Sequence, residues 1–129
     1  MRCAISVLFS IGLPLLAADN HCSRLDEAKQ ALRRDELSTS ERFIYETLTC
    51  DPTDAVAYEV LGAVLDIEKR YPEAGAAYRR AMQLAPPTAE LLNNYGDHQL
   101  AVGDIAGARA TYLKAALTPQ QQLIADKSN

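Results

Sequence analysis

The chain has 129 residues, of which 48% are hydrophobic and 23% are charged, and its formal net charge is −4 at pH 7. This length corresponds to a single domain. A mildly acidic chain is a poor ligand for nucleic acid or for an anionic membrane surface, so we expect neither as a partner.

The first 18 residues differ from the rest of the chain. They carry one charge, Arg2, and the polar part of the chain begins at Asp19. A basic start, an apolar run and small residues at its end predict a secretory signal peptide over residues 1–18, cleaved after Ala18. The alternative is an uncleaved membrane anchor, although about 20 apolar residues are needed to cross a bilayer and this run is shorter and contains Pro14. We therefore expect an exported protein, with the bacterial periplasm as its compartment.

Residues 22–54 show apolar side chains at every third or fourth position. This period predicts two helices rather than strands. Ser38 or Ser40 is expected to cap the second helix, because a hydroxyl can accept the free amides of a first turn. The pattern rests on Leu25, Ala28, Ala31 and Leu32 in the first helix and on Phe43, Ile44, Thr47 and Leu48 in the second.

The middle of the chain has the clearest helical period. It predicts a helix over Ala55–Arg70, with Asp54 as its N-cap. Tyr71-Pro72 interrupts the pattern, and a second helix is predicted over Glu73–Leu84, since proline suits a first turn but not a helix interior. Pro86-Pro87 ends this pair.

The last third of the chain repeats this organisation. Thr88 is the expected N-cap of a helix over Ala89–Val102, and Gly103-Asp104 is the expected turn, in which glycine ends one helix and aspartate caps the next. A further helix is predicted over Ile105–Leu117, and Pro119 is expected to stop it.

Residues 55–88 and 89–119 follow one pattern at a spacing of 34 residues. A fixed period of this size is the signature of stacked structural repeats. The matching pairs are Ala55 and Ala89, Gly62 and Gly96, Ala74 and Ala108, Tyr78 and Tyr112, and Ala81 and Ala115.

The repeated pattern resembles the tetratricopeptide repeat, in which Leu-Gly, an aromatic residue, Ala-x3-aromatic and a closing proline follow one another. The better copy reads Tyr58-x2-Leu61-Gly62-x2-Leu65, then Ala74-x3-Tyr78, Ala81 and Pro86. The following copy reads Leu92-x2-Tyr95-Gly96-x2-Gln99, then Ala108-x3-Tyr112, Ala115 and Pro119.

The resemblance implies an all-α solenoid of about three stacked antiparallel helix hairpins. The first repeat covers residues 22–54 and is degenerate, with Ala28 in place of the glycine and Ser40 in place of the later alanine. The second repeat covers residues 55–88 and the third covers 89–119. The remaining residues, 120–129, would form a short tail or cap, and the repeat domain as a whole would cover 19–119.

The glycines and tyrosines of the pattern are expected to be packing residues. Gly62 and Gly96 lack a Cβ atom and would let the paired helix approach closely, while Tyr78 and Tyr112 would fill the gap to the next repeat. His98 lies in a helix between core positions and is expected to pack rather than to bind a metal or act as a base.

Cys22 and Cys50 form an even pair in a chain predicted to be exported, which favours a disulfide bond over two unrelated buried thiols. Cys22 opens the first helix of the first repeat and Cys50 ends the second, and these ends are neighbours in an antiparallel hairpin. A bond requires Cα atoms within about 7 Å. Closing this loop would stabilise the degenerate repeat by about 3.5 kcal/mol.

The sequence shows no set of residues that would carry catalysis. It has no glycine-rich phosphate loop, no His and Cys cluster with metal-ligand spacing and no nucleophile elbow. We therefore expect no enzymatic activity, cofactor, metal or small-molecule substrate, and we expect another protein as the partner.

The resemblance also implies where that partner would bind, because the first helices of successive tetratricopeptide repeats line a concave groove. Acidic residues dominate this groove in the second and third repeats, which predicts a basic peptide or helix as the partner. The alternative is that these are solvated helix charges. Some family members use the groove to clamp a terminal carboxylate, but here Glu59 and Glu90 flank Asn94 and have the wrong sign. The candidate partner-binding residues are Lys29, Arg33, Glu59, Asp66, Glu90, Asn93 and Asp97.

The function that the resemblance implies is an exported interaction scaffold or adaptor, of the kind found in envelope assembly, secretion or pilus biogenesis. The alternative is a structural subunit that associates with itself as a homodimer. Exposed apolar residues on the last helix would drive that association. They are Leu113, Leu117, Leu123 and Ile124.

Overall fold

A computed structural model describes the backbone of residues 22–127 and the side chains of residues 22–119. The predicted signal peptide lies outside this part of the chain. Residues 22–127 are all-α, and no helix among them is long and apolar enough to cross a membrane. The helices are α1 (Leu25–Arg33), α2 (Leu37–Cys50), α3 (Ala55–Ile67), α4 (Tyr71–Leu84), α5 (Ala89–Ala101) and α6 (Ile105–Lys127).

The six helices pack as three antiparallel hairpins, α1 with α2, α3 with α4 and α5 with α6, and adjacent hairpins stack on one another. The predicted all-α solenoid of helix hairpins is therefore confirmed. The hydrophobic core centres on α3 and α4, since the second repeat has neighbours on both sides.

The turn inside each hairpin shows that the 34-residue period is structural in all three repeats. Asp35, Lys69 and Gly103 adopt left-handed backbone, with φ of 62°, 63° and 85°. Each donates its amide to the carbonyl three residues before it at 2.9–3.0 Å, and the next amide donates five residues back at 2.7–2.9 Å. These two bonds satisfy the free carbonyls at the end of a helix. The degenerate first repeat therefore keeps the same turn as the other two.

These turns explain where the first helices end. We predicted a helix over Ala55–Arg70, but α3 ends at Ile67 because Lys69 leaves the helical conformation. Arg70 then stands at the N-cap position of α4, which starts at Tyr71 with Pro72 in its first turn.

Three of the predicted N-caps are confirmed, and the cap in the first repeat is wrong. Asp54, Thr88 and Asp104 accept amide hydrogen bonds from the residues three positions later, at 3.0, 3.1 and 2.9 Å. In the first repeat α2 begins at Leu37, before Ser38 and Ser40, and no side chain caps it.

Pro119 does not end the last helix as predicted. The helical backbone continues through it to Lys127, so the segment predicted as a tail extends α6 instead. A proline inside a helix removes one amide donor and crowds the preceding turn. Beside it, the Thr118 hydroxyl donates to the Lys114 carbonyl at 2.9 Å.

The glycines of both well-conforming repeats lie close to the paired helix as predicted, and the atoms that approach them belong to the tyrosine of that helix. A Cβ atom built on Gly62 would lie 2.6 Å from Cε1 of Tyr78, and one built on Gly96 would lie 2.6 Å from Cε1 of Tyr112. The missing Cβ atoms thus make room for the tyrosine rings. Tyr78 also reaches the next repeat, where its ring centroid lies 6.0 Å from that of Tyr95.

The first repeat solves the same packing problem with different residues. Ala28 and Ile44 occupy the glycine and tyrosine positions, and both are fully buried. Ser40 replaces the small alanine and is also buried; its hydroxyl donates to the Ala28 carbonyl at 2.8 Å. This bond compensates for burying a polar group between two helices.

The predicted disulfide is confirmed: Cys22 and Cys50 are bonded, with Cα atoms 5.7 Å apart. Next to the bond, the Arg24 amide donates to the Thr47 hydroxyl at 2.8 Å, and the Arg24 guanidinium lies 4.2 Å from the centre of the Phe43 ring. The start of α1 is thereby fixed to the end of α2 by covalent, polar and cation–π contacts.

Candidate partner-binding groove

The first helices of the three hairpins line a shared pocket of about 320 Å³. α1 provides basic residues, α3 provides an apolar floor and an acid, and α5 provides an acid and an amide. The lining residues are Lys29, Arg33, Val56, Glu59, Val60, Ala63, Glu90 and Asn94. The structure thus brings together four of the seven candidate residues, namely Lys29, Arg33, Glu59 and Glu90.

Glu59 is the central polar group of the pocket. Its side chain sits between the first helices of two repeats, and the residue is only 9% exposed. Asn94 donates to Glu59 Oε1 at 3.0 Å and so orients the carboxyl group. Among the described residues this is the hydrogen bond that holds the Glu59 side chain, and Glu59 also lines the pocket.

The pocket leaves the charge of Glu59 poorly compensated. Burial raises the pKa of Glu59, and the negative charge of Glu90 raises it further. The Asn94 hydrogen bond and the charge of Lys29 lower the pKa of Glu59, but the net effect is still a raised pKa. A carboxylate whose pKa is raised by burial and by a like charge is stabilised when a cation binds beside it.

Asn94 is a site residue that our sequence analysis did not select, since we considered it only in connection with a carboxylate clamp. It lies 35 positions after Glu59, one residue beyond the repeat period. Residues separated by one period occupy equivalent places on adjacent repeats, so this spacing was the available signal for the contact.

Asp66 has a structural partner instead of facing the pocket. Its Oδ1 atom lies 2.7 Å from Nδ1 of His98, which is 6% exposed. The imidazole packs among three tyrosine rings, with centroids 5.6 Å from Tyr78, 5.9 Å from Tyr95 and 6.4 Å from Tyr71. The prediction that His98 packs in the interior is confirmed, and Asp66 joins the second repeat to the third through it.

The other two candidate residues lie outside the pocket. Asp97 is exposed and accepts a hydrogen bond from the Tyr112 hydroxyl. Asn93 is exposed and does not line the pocket. The acidic part of the groove is therefore narrower than the sequence predicts and centres on Glu59 and Glu90.

Among the described side chains, those of residues 22–119, no three His, Cys, Asp or Glu residues converge in a way that would hold a metal ion. No family model matches this chain. No curated protein sequence matches it either.

Proposed function

We propose that the protein is an exported interaction scaffold whose groove captures a peptide or helix carrying lysine or arginine. The observation that carries the proposal is the pocket lined by all three first helices, in which the buried Glu59 stands near Glu90. A cation bound between these two acids would offset the cost of burying the Glu59 charge and would reduce the repulsion between Glu59 and Glu90.

The shape and lining of the pocket suit a long basic side chain. Val56, Val60 and Ala63 provide apolar surface for the methylene groups, while Glu59 and Glu90 receive the charged head. Lysine and arginine side chains commonly place their methylene groups on apolar surface and their charged group in polar surroundings. Lys29 and Arg33 on the opposite helix would hold an acidic neighbour of that side chain and set the direction of the bound segment.

The proposal has two further parts, which concern the family of the protein and its export. We infer membership in the tetratricopeptide repeat family from the sequence pattern and from the left-handed residues at 35, 69 and 103. We infer export from the apolar residues 3–18 together with the Cys22–Cys50 bond, which persists in oxidising compartments. Periplasmic adaptors in envelope assembly, secretion or pilus biogenesis fit this combination by analogy of fold alone.

The groove is tested with synthetic helical peptides that have capped ends and differ only in three side chains. One peptide carries three lysines, the second three glutamines and the third three glutamates, and binding is measured by fluorescence anisotropy. We expect the lysine peptide to bind most tightly and to bind more weakly as salt is raised from about 50 to about 300 mM, because salt screens exposed charges.

The double variant Glu59→Gln with Glu90→Gln should lose most of this binding. The matched control is Asp26→Asn with Glu36→Gln, which removes two exposed acids away from the pocket and therefore the same net charge. Equal loss in both double variants would show a non-specific effect of net charge. Equal affinity for the three peptides would contradict the proposal.

A further inference from the structure

The contact between the second and third repeats defines which positions a repeat uses to stack on its successor. Asp66, Tyr71 and Tyr78 of the second repeat surround His98 of the third. The equivalent positions of the first repeat, 34 residues earlier, are Leu32, Leu37 and Ile44, and all three pack against the core.

The third repeat carries apolar or aromatic residues at the same positions, of which two are exposed and the third, Tyr112, is half-buried. We call Leu100, Ile105 and Tyr112 the C-terminal face. Leu100 is 48% exposed and Ile105 is 70% exposed. Exposed leucines at 113 and 117 on α6 extend the apolar surface beside this face. A terminal repeat that only caps a stack presents polar residues there, so the C-terminal face has the composition of an interior interface.

The opposite end of the stack has the composition of a cap. We call Ser23, Asp26, Glu27 and Gln30 the N-terminal face; all four are exposed. The positions 34 and 68 residues later receive the preceding repeat in the second and third repeats. Those of the second repeat, Ala57, Val60, Leu61 and Val64, are all buried.

The difference between the two faces selects the occupant of the C-terminal face. Head-to-tail addition of another copy would place Gln30, the equivalent of His98, against Leu100 and Ile105, and Glu27, the equivalent of Tyr95, against Tyr112. Burying this amide and this carboxylate against an apolar surface is costly. Two C-terminal faces, in contrast, offer each other apolar surface without an opposing charge at these positions. A contact between identical faces is isologous and closes after two copies.

We propose that the C-terminal face docks on the C-terminal face of a second copy, giving a closed dimer with a twofold axis. In this dimer α5 and α6 of the two copies continue the repeat stack across the axis. The polar N-terminal faces remain at the outer ends and stop further addition. None of the residues of the C-terminal face lines the groove pocket, so the proposal is independent of the groove function.

The test is sedimentation equilibrium of the disulfide-bonded chain over a range from about 1 to about 500 µM. We expect a single monomer–dimer equilibrium with no larger species. Ile105→Glu should weaken association at least tenfold, because it places a charge at the centre of both faces. Leu100→Glu, on the neighbouring helix, should do the same.

Ile67→Glu is the matched control, since Ile67 is 52% exposed on α3 and lies away from the C-terminal face. It should dimerise like the unmodified chain, and circular dichroism should show equal helix content in all variants. Hydrogen exchange at low and high concentration should show added protection in residues 99–119 and none in 23–33.

A monomer throughout the concentration range would overturn the proposal. Association that persists in Ile105→Glu, or that is lost equally in Ile67→Glu, would also overturn it. Growth to species larger than a dimer would indicate head-to-tail stacking and exclude the closed arrangement.

Discussion

The first and third repeats of this protein are opposites. The first departs most from the repeated sequence pattern, yet it is closed by a disulfide and ends in the polar N-terminal face. The third matches the pattern better, with Gly96 against Tyr112, yet it ends in the exposed C-terminal face. Agreement with a repeat motif therefore describes how a hairpin packs internally and does not describe whether its outer face is covered.

The second repeat is covered by a neighbouring repeat on both sides, and its motif tyrosine is accordingly more buried. Tyr78 is 2% exposed and contacts residues of the following repeat, whereas its equivalent Tyr112 is half-buried and has no following repeat within the described chain. The same residue type in the same motif position thus has a different energetic role at the centre and at the end of the stack.

The largest expected effect comes from this pair of tyrosines. Tyr78→Ala should lower the free energy of unfolding by about 4 kcal/mol, because it empties a buried site in contact with two repeats. Tyr112→Ala should cost only about 1 kcal/mol, since part of the ring is already in water. Urea unfolding followed by circular dichroism, at one low protein concentration for both variants, measures both values. Equal losses of stability in the two variants would contradict the claim that the following repeat makes Tyr78 more stabilising than Tyr112.

The second prediction concerns the disulfide of the first repeat. Replacing both Cys22 and Cys50 by serine should cost about 3.5 kcal/mol, since the unfolded chain gains the freedom of an open loop. Hydrogen exchange should show that α1 and α2 lose protection before α3 and α4 do. If the melting temperature of the unmodified protein is the same with and without reductant, the disulfide is not the stabiliser that we describe.

The third prediction uses the left-handed turns that all repeats share. Lys69→Gly should stabilise the protein by about 1 kcal/mol, because glycine adopts a positive φ without a steric penalty. Gly103→Ala should destabilise it by about the same amount. A Cβ atom on Gly103 would meet nothing within 4 Å, so this loss would report backbone conformation alone. Thermal unfolding of the two variants should show shifts of opposite sign.

The smallest expected effect concerns Glu59 in the groove. Because its pKa is raised in the folded protein, the folded state binds the proton more tightly than the unfolded state does, and the carboxylate costs stability at neutral pH. Glu59→Gln keeps the oxygen that Asn94 contacts and should stabilise the protein at pH 7 on the order of 0.5 kcal/mol. This gain should disappear as the pH falls below about 4.3, the ordinary range for glutamate in the unfolded chain. A variant that is less stable at pH 7 would show that the charge contributes to folding.

Most of the architecture followed from the sequence, because apolar residues at helical spacing mark the helices and small residues mark where the helices cross. The 34-residue spacing predicted the hairpins, and the even pair of cysteines at neighbouring ends of the first hairpin predicted the disulfide. The ends of the helices were harder to predict. Lys69 and Asp35 adopt a left-handed backbone conformation that could not be predicted from their residue types. In those turns the geometry of the hairpin overrides the preference of lysine and aspartate for a negative φ.

Side chains that act between helices were predicted least well. Ser40 was expected to cap a helix and instead donates a buried hydrogen bond, and Asp66 was expected in the groove and instead binds His98. Asn94 orients Glu59, which depends on how adjacent hairpins stack. The Asp66 and Asn94 contacts join residues about one repeat apart, and the Ser40 contact joins two helices of one hairpin, so a helix-by-helix interpretation cannot find them.

The central claim is that the pocket lined by all three repeats captures a basic segment of another protein. The most direct measurement is photo-crosslinking in the native compartment, with a photoreactive residue at Ala63 in the pocket floor and, as control, at Gln30 on the N-terminal face. We predict that Ala63 alone gives a discrete product whose crosslinked segment carries lysine or arginine, and that Glu59→Lys removes it. An acidic or neutral segment, or equal products from both positions, would contradict the account.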